Sequence, residues 1–184
     1  MIEDNGPGVV TLGEGDRALA VAAVKAVLRV SDDEEDDLIA AFAESALGLA
    51  EQFLGAVTIA RTLSERIPAS AAWQRLGAAP VGAITGVTTP TGAALASDAF
   101  AIDIDAGGDG WVRVRDTAVR QVVVTYTAGI ATAWADLPQP IRQGVALLAA
   151  YLFDARDADV APPSAITALW RPFRRVALSG AAPC

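Results

Sequence analysis

The chain of 184 residues carries 22 acidic and 14 basic side chains, no histidine and a formal net charge of −8, with 53 % apolar residues. That apolar content supplies a core and excludes a disordered chain. Without imidazole there are no Ser–His or Cys–His nucleophile pairs, no histidine-ligated metals and no histidine general bases, and the acidic balance disfavours a grip on nucleic acid.

The opening Met1-Ile2-Glu3-Asp4-Asn5 lacks the basic start and apolar stretch of a secretion signal, and residues 1–16 read as a flexible lead-in. No apolar run reaches the roughly 18 residues of a membrane helix, so no membrane partner is expected. Over about 17–29, Leu19, Ala23, Val24, Val27 and Leu28 recur at helical spacing and predict a first helix. It holds Lys25, the one lysine, and no G-x-x-x-x-G-K-[ST] phosphate loop occurs. Ser31 then precedes Asp32-Asp33-Glu34-Glu35-Asp36-Asp37, and with Glu34 it makes the S-x-x-E pattern of a capping box. A second helix is predicted over about 32–54. Its expected buried stripe is Leu38, Ile39, Phe42, Ala46, Leu49, Phe53 and Leu54, with Gly55 as the stop.

Strands are predicted within about 56–127. Val57, Ile59 and Leu63 alternate with more polar positions, and short strands follow around Trp73 and Val81–Val87. Phe100, Ile102 and Ile104 form one arm of a β-hairpin, Trp111, Val112 and Val114 the other, and Ala106-Gly107-Gly108-Asp109-Gly110 the reversal. Asp103-x-Asp105-x-Gly107-Gly108-Asp109 is loosely similar to a calcium loop. Its fifth position is glycine, however, and its twelfth is Val114 where a bidentate glutamate belongs. Gln121 to Thr127 is a dense third strand. Helices are expected again over about 138–156, with Pro140 in the first turn, and about 163–171, just before Pro172. Residues 179–184 read as a tail, and Cys184, the single cysteine, permits no intrachain disulfide, which fits a reducing compartment. The order of elements predicts an α+β fold in one domain over 17–178. An N-terminal helix pair and C-terminal helices pack together, with a central antiparallel hairpin or small sheet.

Charge is uneven along the chain. Residues 1–59 hold 12 acids and three bases, whereas residues 160–184 hold three arginines and no acid. Asp32, Asp33, Asp36 and Asp37 belong to a run whose side chains point in several directions along a helix. That suits a solvated helix start or a docking rim better than a convergent metal site. Trp170-Arg171-Pro172-Phe173-Arg174-Arg175 combines the residue types enriched at interface hot spots, and it reads as a docking segment, as ordinary packing with solvated arginines, or as a nucleic-acid patch that is short and isolated in an acidic protein. No catalytic, cofactor-binding or metal-ligating residues are assigned. The competing enzymatic reading is a small acidic hydrolase with paired carboxylates.

Three stretches carry a resemblance. Val24-Lys25-Ala26-Val27-Leu28-Arg29-Val30 leads into the acidic run and Leu38-Ile39, then Ala50-Glu51-Gln52-Phe53-Leu54-Gly55. Val122–Thr127 with Ala128-Gly129 leads to Leu137-Pro138 and a helix closing Ala150-Tyr151-Leu152-Phe153-Asp154-Ala155-Arg156. The third stretch is Leu169-Trp170-Arg171-Pro172-Phe173-Arg174-Arg175. In this order, over about residues 20–178, the chain resembles the head–tail connector proteins (adaptor or head-completion proteins) of long-tailed phages, prophages and gene transfer agents. The resemblance implies a virion structural protein, made in the host bacterial cytoplasm, that forms a homo-oligomeric ring of about twelve copies. The ring would sit beneath the portal protein at the capsid vertex and offer a platform to the next neck protein. DNA would pass through its lumen without specific binding. Trp170, Arg171, Phe173, Arg174 and Arg175 would then form a portal-docking segment, and Asp32, Asp33, Asp36 and Asp37 an acidic channel wall or rim. A stopper-type neck or tail-completion protein is the alternative within the same system.

Overall fold

A computed structural model describes residues 2–4, 6–115, 119–155 and 163–175. These residues fall into two compact units, a helical one from Pro7–Ile59 and Ala131–Arg175 and a β unit from residues up to Gly6 and Ala60–Ile130. Helices and antiparallel sheets together make the fold α+β.

In the helical unit, α1 spans Glu14–Leu28 and α2 spans Asp36–Leu54. α1 begins three residues before the predicted start, because Glu14 and Asp16 place carboxylates at the positive end of its dipole. It ends where Arg29 turns left-handed at φ 61°. The capping box does not form. α2 begins at Asp36 with no side-chain cap, and the residues ahead of it form a turn held by Lys25 rather than a first helical turn. Gly55, at φ 63°, stops α2 as expected.

The buried stripe of α2 is shifted from the expected one. Ile39, Ala43, Leu47, Ala50 and Leu54 face inward, while Leu38 and Leu49 are exposed. Ala40, Ala43, Ala46 and Ala50 fill much of the buried face alongside Ile39, Leu47 and Leu54. α3 (Gln139–Asp154) carries Pro140 in its first turn, where the missing N–H breaks no helical bond. α4 (Ser164–Trp170) passes into a single 3₁₀ turn at Arg171–Phe173. Phe42 meets Phe153 edge-on at 6.2 Å, and Phe53 meets Trp170 at 5.9 Å. These two contacts fix the start of α2 beside the end of α3, and the end of α2 beside α4.

In the β unit, β1 (Ile2–Asp4), β2 (Arg61–Pro68), β4 (Val81–Thr88) and β7 (Gln121–Ala128) form an antiparallel sheet in the order β1-β2-β7-β4. β3 (Gln74–Arg75), β5 (Phe100–Ile104) and β6 (Gly110–Val114) form a second, in the order β3-β6-β5. Leu63, Glu65 and Ile67 alternate inward on β2, as do Val122, Val124, Tyr126 and Ala128 on β7. This is the two-residue period of a strand, but of Val57, Ile59 and Leu63, the positions expected to show it, only Leu63 lies on β2. Of the residues read as loose lead-in, Ile2–Asp4 pair with β2 and Glu14–Asp16 open α1. Arg156 and residues 179–184, read as a helix end and a tail, lie outside the described residues.

Candidate functional site

The acidic run sits on the turn between α1 and α2. Asp33 and Asp36 accept from Lys25 Nζ at 2.6 and 2.8 Å, and Asp37 accepts from Arg17 at 3.0 Å. The two hydrogen bonds raise the Lys25 pKa above its ordinary value, and Lys25 in turn lowers that of Asp33. Three carboxylates of the run therefore tie the turn back onto α1. Asp32 and Glu34 point into solvent with no ion pair among the described residues. The run does not converge on one point, and among the described residues no three metal-capable side chains do.

Between α1 and the start of α2 lies a groove of about 610 Å³, floored by Ala18, Ala22 and Ala26 and rimmed by Glu14, Asp36 and Asp37. A second groove, of about 360 Å³, runs between α1 and α3 over Ala23, Val27 and Trp134 and is edged by Arg142.

The C-terminal segment is split in its exposure. Trp170 is 3 % exposed, its indole N–H donates to the Ile141 carbonyl at 3.3 Å, and it presses on Gly144. It is a wedge in the helical core, pinning the segment in place. Arg171 and Arg174 are exposed and Phe173 is half-buried; the Arg174 guanidinium lies 5.6 Å from the Phe53 ring centre. The Arg175 N–H donates to the Leu54 carbonyl at 2.8 Å, so the backbone is anchored as far as Arg175. The structure thus brings Arg171, Phe173 and Arg174 together on the surface beside the end of α2.

The loop resembling a calcium site is the turn of the β5–β6 hairpin. Asp105 Oδ1 accepts from the Gly107 and Asp109 N–H groups at 2.8 and 3.0 Å, and Oδ2 from Trp111 Nε1 at 3.0 Å. The carboxylate that an ion would need holds the turn itself. Among the described residues two carboxylates are buried. Glu51 accepts from the N–H groups of Gly8 and Thr58 and from the Thr58 hydroxyl, joining the lead-in and the end of α2. Glu65 accepts from Gly77 N–H at 2.8 Å and Tyr126 OH at 3.0 Å, and the phenol oxygen accepts from Ala78 N–H at 3.3 Å. Both carboxylates stitch backbone together. Sequence reasoning passed over Arg142 and the two grooves. The available signal was the polar trio Gln139, Arg142 and Gln143, at i, i+3 and i+4 on an otherwise alanine-rich helix.

No protein-family model and no curated protein matches the sequence. Solved structures do share the fold. A chain from the neck of an empty GTA particle computed with C6 symmetry superposes with a TM-score of 0.75 at 23 % identity. One from the virion of a native gene transfer agent (GTA) particle gives 0.69 at 21 %, and one from the neck of a native GTA particle computed with C12 symmetry gives 0.68 at 22 %. Each match covers 100 % of both chains. The chain therefore has, from end to end, a fold also found in gene transfer agent particles.

Proposed function

We propose that the chain is a structural protein of the neck of a virion or gene transfer agent particle, and that it works by occupying a place in a ring rather than by catalysis. The observation that carries this reading is the full-length likeness of fold to chains from GTA particles, two of them from necks solved with ring symmetry. The site geometry agrees with it. The buried carboxylates Glu51 and Glu65 hold backbone, and what the helical unit offers outward is grooves, an acidic turn and an arginine-bearing end.

Within the neck, the role we assign is that of an adaptor beneath the portal. Arg171, Phe173, Arg174 and Arg175 make the docking segment, and Trp170 anchors it from within. A short aromatic and arginine-rich segment whose backbone is already fixed loses little entropy on docking. The test is electron microscopy of the purified chain mixed with a portal protein of the same genome. Rings seated on the portal are expected, and their loss in an Arg171→Glu/Arg174→Glu variant that keeps the wild-type circular dichroism. A chain that stays off the portal, or that seats unchanged with both charges reversed, overturns respectively the adaptor role or the docking assignment. Rings that form only on the far side of another neck component indicate a stopper instead.

A further inference from the structure

The helical unit is polarised along its length. The acidic turn leads into α2, and Phe42, nearly two helical turns further on, meets Phe153 at the end of α3. Arg142 lies in the first turns of α3, where the neighbouring Ile141 carbonyl accepts from Trp170 beside the end of α2. Within one copy no ion pair joins the turn to Arg142 among the described residues.

Each end has something unmet. The Arg142 Nε is shielded from solvent and has no hydrogen-bond partner, and no carboxylate pairs with this side chain among the described residues. A half-buried guanidinium with a dry N–H is a costly arrangement that a carboxylate would relieve. The groove it edges has an apolar floor on which Val27 is 40 % exposed, and the exposed side-chain amides Gln139 and Gln143 flank it. At the other end, Asp32 and Glu34 are the exposed acids of the turn that Lys25 and Arg17 leave unpaired. The aliphatic side chains of Val30 and Leu38, 38 % and 37 % exposed, bracket them. The turn thus presents carboxylates flanked by apolar groups, and the groove presents a guanidinium over an apolar floor.

We propose that the occupant of the α1–α3 groove is the α1–α2 turn of a second copy of this chain, with Asp32 or Glu34 paired to Arg142 and the neighbouring aliphatic side chains covering Val27. The contact joins two different surfaces of the same subunit, which propagates copies head to tail and yields a ring where the rotation between copies closes. It leaves Arg171, Phe173 and Arg174 free for the docking proposed above. It rests on the ring reading, yet it stands or falls on its own.

Sedimentation velocity of the full chain at high micromolar concentration in low salt reads the contact. Wild type self-associates and added salt weakens it. Arg142→Glu weakens association by about tenfold or more, Asp32→Arg/Glu34→Arg does the same, and the three changes combined restore it. In a Cys184→Ser background, Glu34→Cys and Arg142→Cys chains crosslink when mixed and neither crosslinks to itself. A strictly monomeric wild type, association indifferent to the charge reversals, or self-crosslinking of Glu34→Cys alone overturns the contact. Rings that still seat on the portal in any of these cases leave the neck reading standing, whereas a failure to seat speaks against that reading alone.

Discussion

The Tyr126 hydroxyl donates to Glu65 Oε2 at 3.0 Å and accepts from Ala78 N–H at 3.3 Å, in the interior of the β unit. Burial first, and the Glu65 charge second, push the phenol well above its ordinary pKa of 10.0. The sign of the pH effect follows. Above that ordinary value the unfolded chain loses the proton while the folded chain keeps it, so stability present below it declines as pH rises. Chemical denaturation from neutral pH to beyond pH 10 is expected to show this alkaline loss in wild type. Tyr126→Phe lacks that contribution and is less stable at neutral pH by about 1–3 kcal/mol, because Ala78 N–H and Glu65 each lose a partner in a buried place. Arg29 makes the opposite case. At φ 61° it holds a left-handed cap that suits glycine, so Arg29→Gly is expected to stabilise the chain by about 1 kcal/mol, read as a higher midpoint in urea.

Between elements, the decisive contacts are those of small residues. A Cβ on Gly144 would overlap the Trp170 indole, and one on Gly48 would meet the Gly8 backbone. Gly144→Ala is therefore expected to push Trp170 outward, costing about 1–3 kcal/mol and shifting tryptophan emission to the red. An unchanged spectrum would show that α4 moves with its tryptophan. Such contacts mark the limit of what the sequence discloses. The dense strand of β7, the hairpin glycines, Gly55 and Pro140 each act through the local backbone, and each was legible, whereas the strand expected over Val57, Ile59 and Leu63 begins only at Arg61. The inward face of α2 was legible only by half. Alanine contributes little to a hydropathy pattern, so the larger Leu38 and Leu49 drew the predicted stripe off the true one. The S-x-x-E pattern misled because Lys25, 11 positions before Asp36 in the chain, holds the turn with a stronger, charged hydrogen bond. For Trp170 the docking and packing readings both stayed open, since nothing local announces that Gly144 leaves a slot for it. Arg142 was invisible for the same reason, its meaning lying in the absence of a partner that only three-dimensional packing reveals.

At the scale of the whole molecule, the net charge of −8 and the pairing of its cations bear on whether the chain holds DNA. Affinity for duplex comes chiefly from neutralised phosphates and the counterions they release, and several clustered cations are needed before it survives physiological salt. Here Arg17 and Lys25 are already paired with Asp37, Asp33 and Asp36, and Arg75 with Asp109. Arg29, Arg115 and Arg120 are exposed as well but lie apart in the chain from Arg171 and Arg174, whose patch alone makes too few contacts to hold DNA against the net charge of −8. If DNA travels through the ring proposed above, that ring works best when its subunits do not retain it. Fluorescence anisotropy with a labelled 30-base-pair duplex is expected to show no saturable binding at about 150 mM salt, and at most a weak, salt-sensitive rise near 20 mM. Lysine at Asp32 and Glu34, placed where no internal partner exists, is expected to produce measurable binding, because it turns the exposed acids of the turn into cations next to the fixed Lys25. Saturable binding by the wild-type chain at physiological salt would mean that it grips DNA, and the passive-lumen role would have to be abandoned.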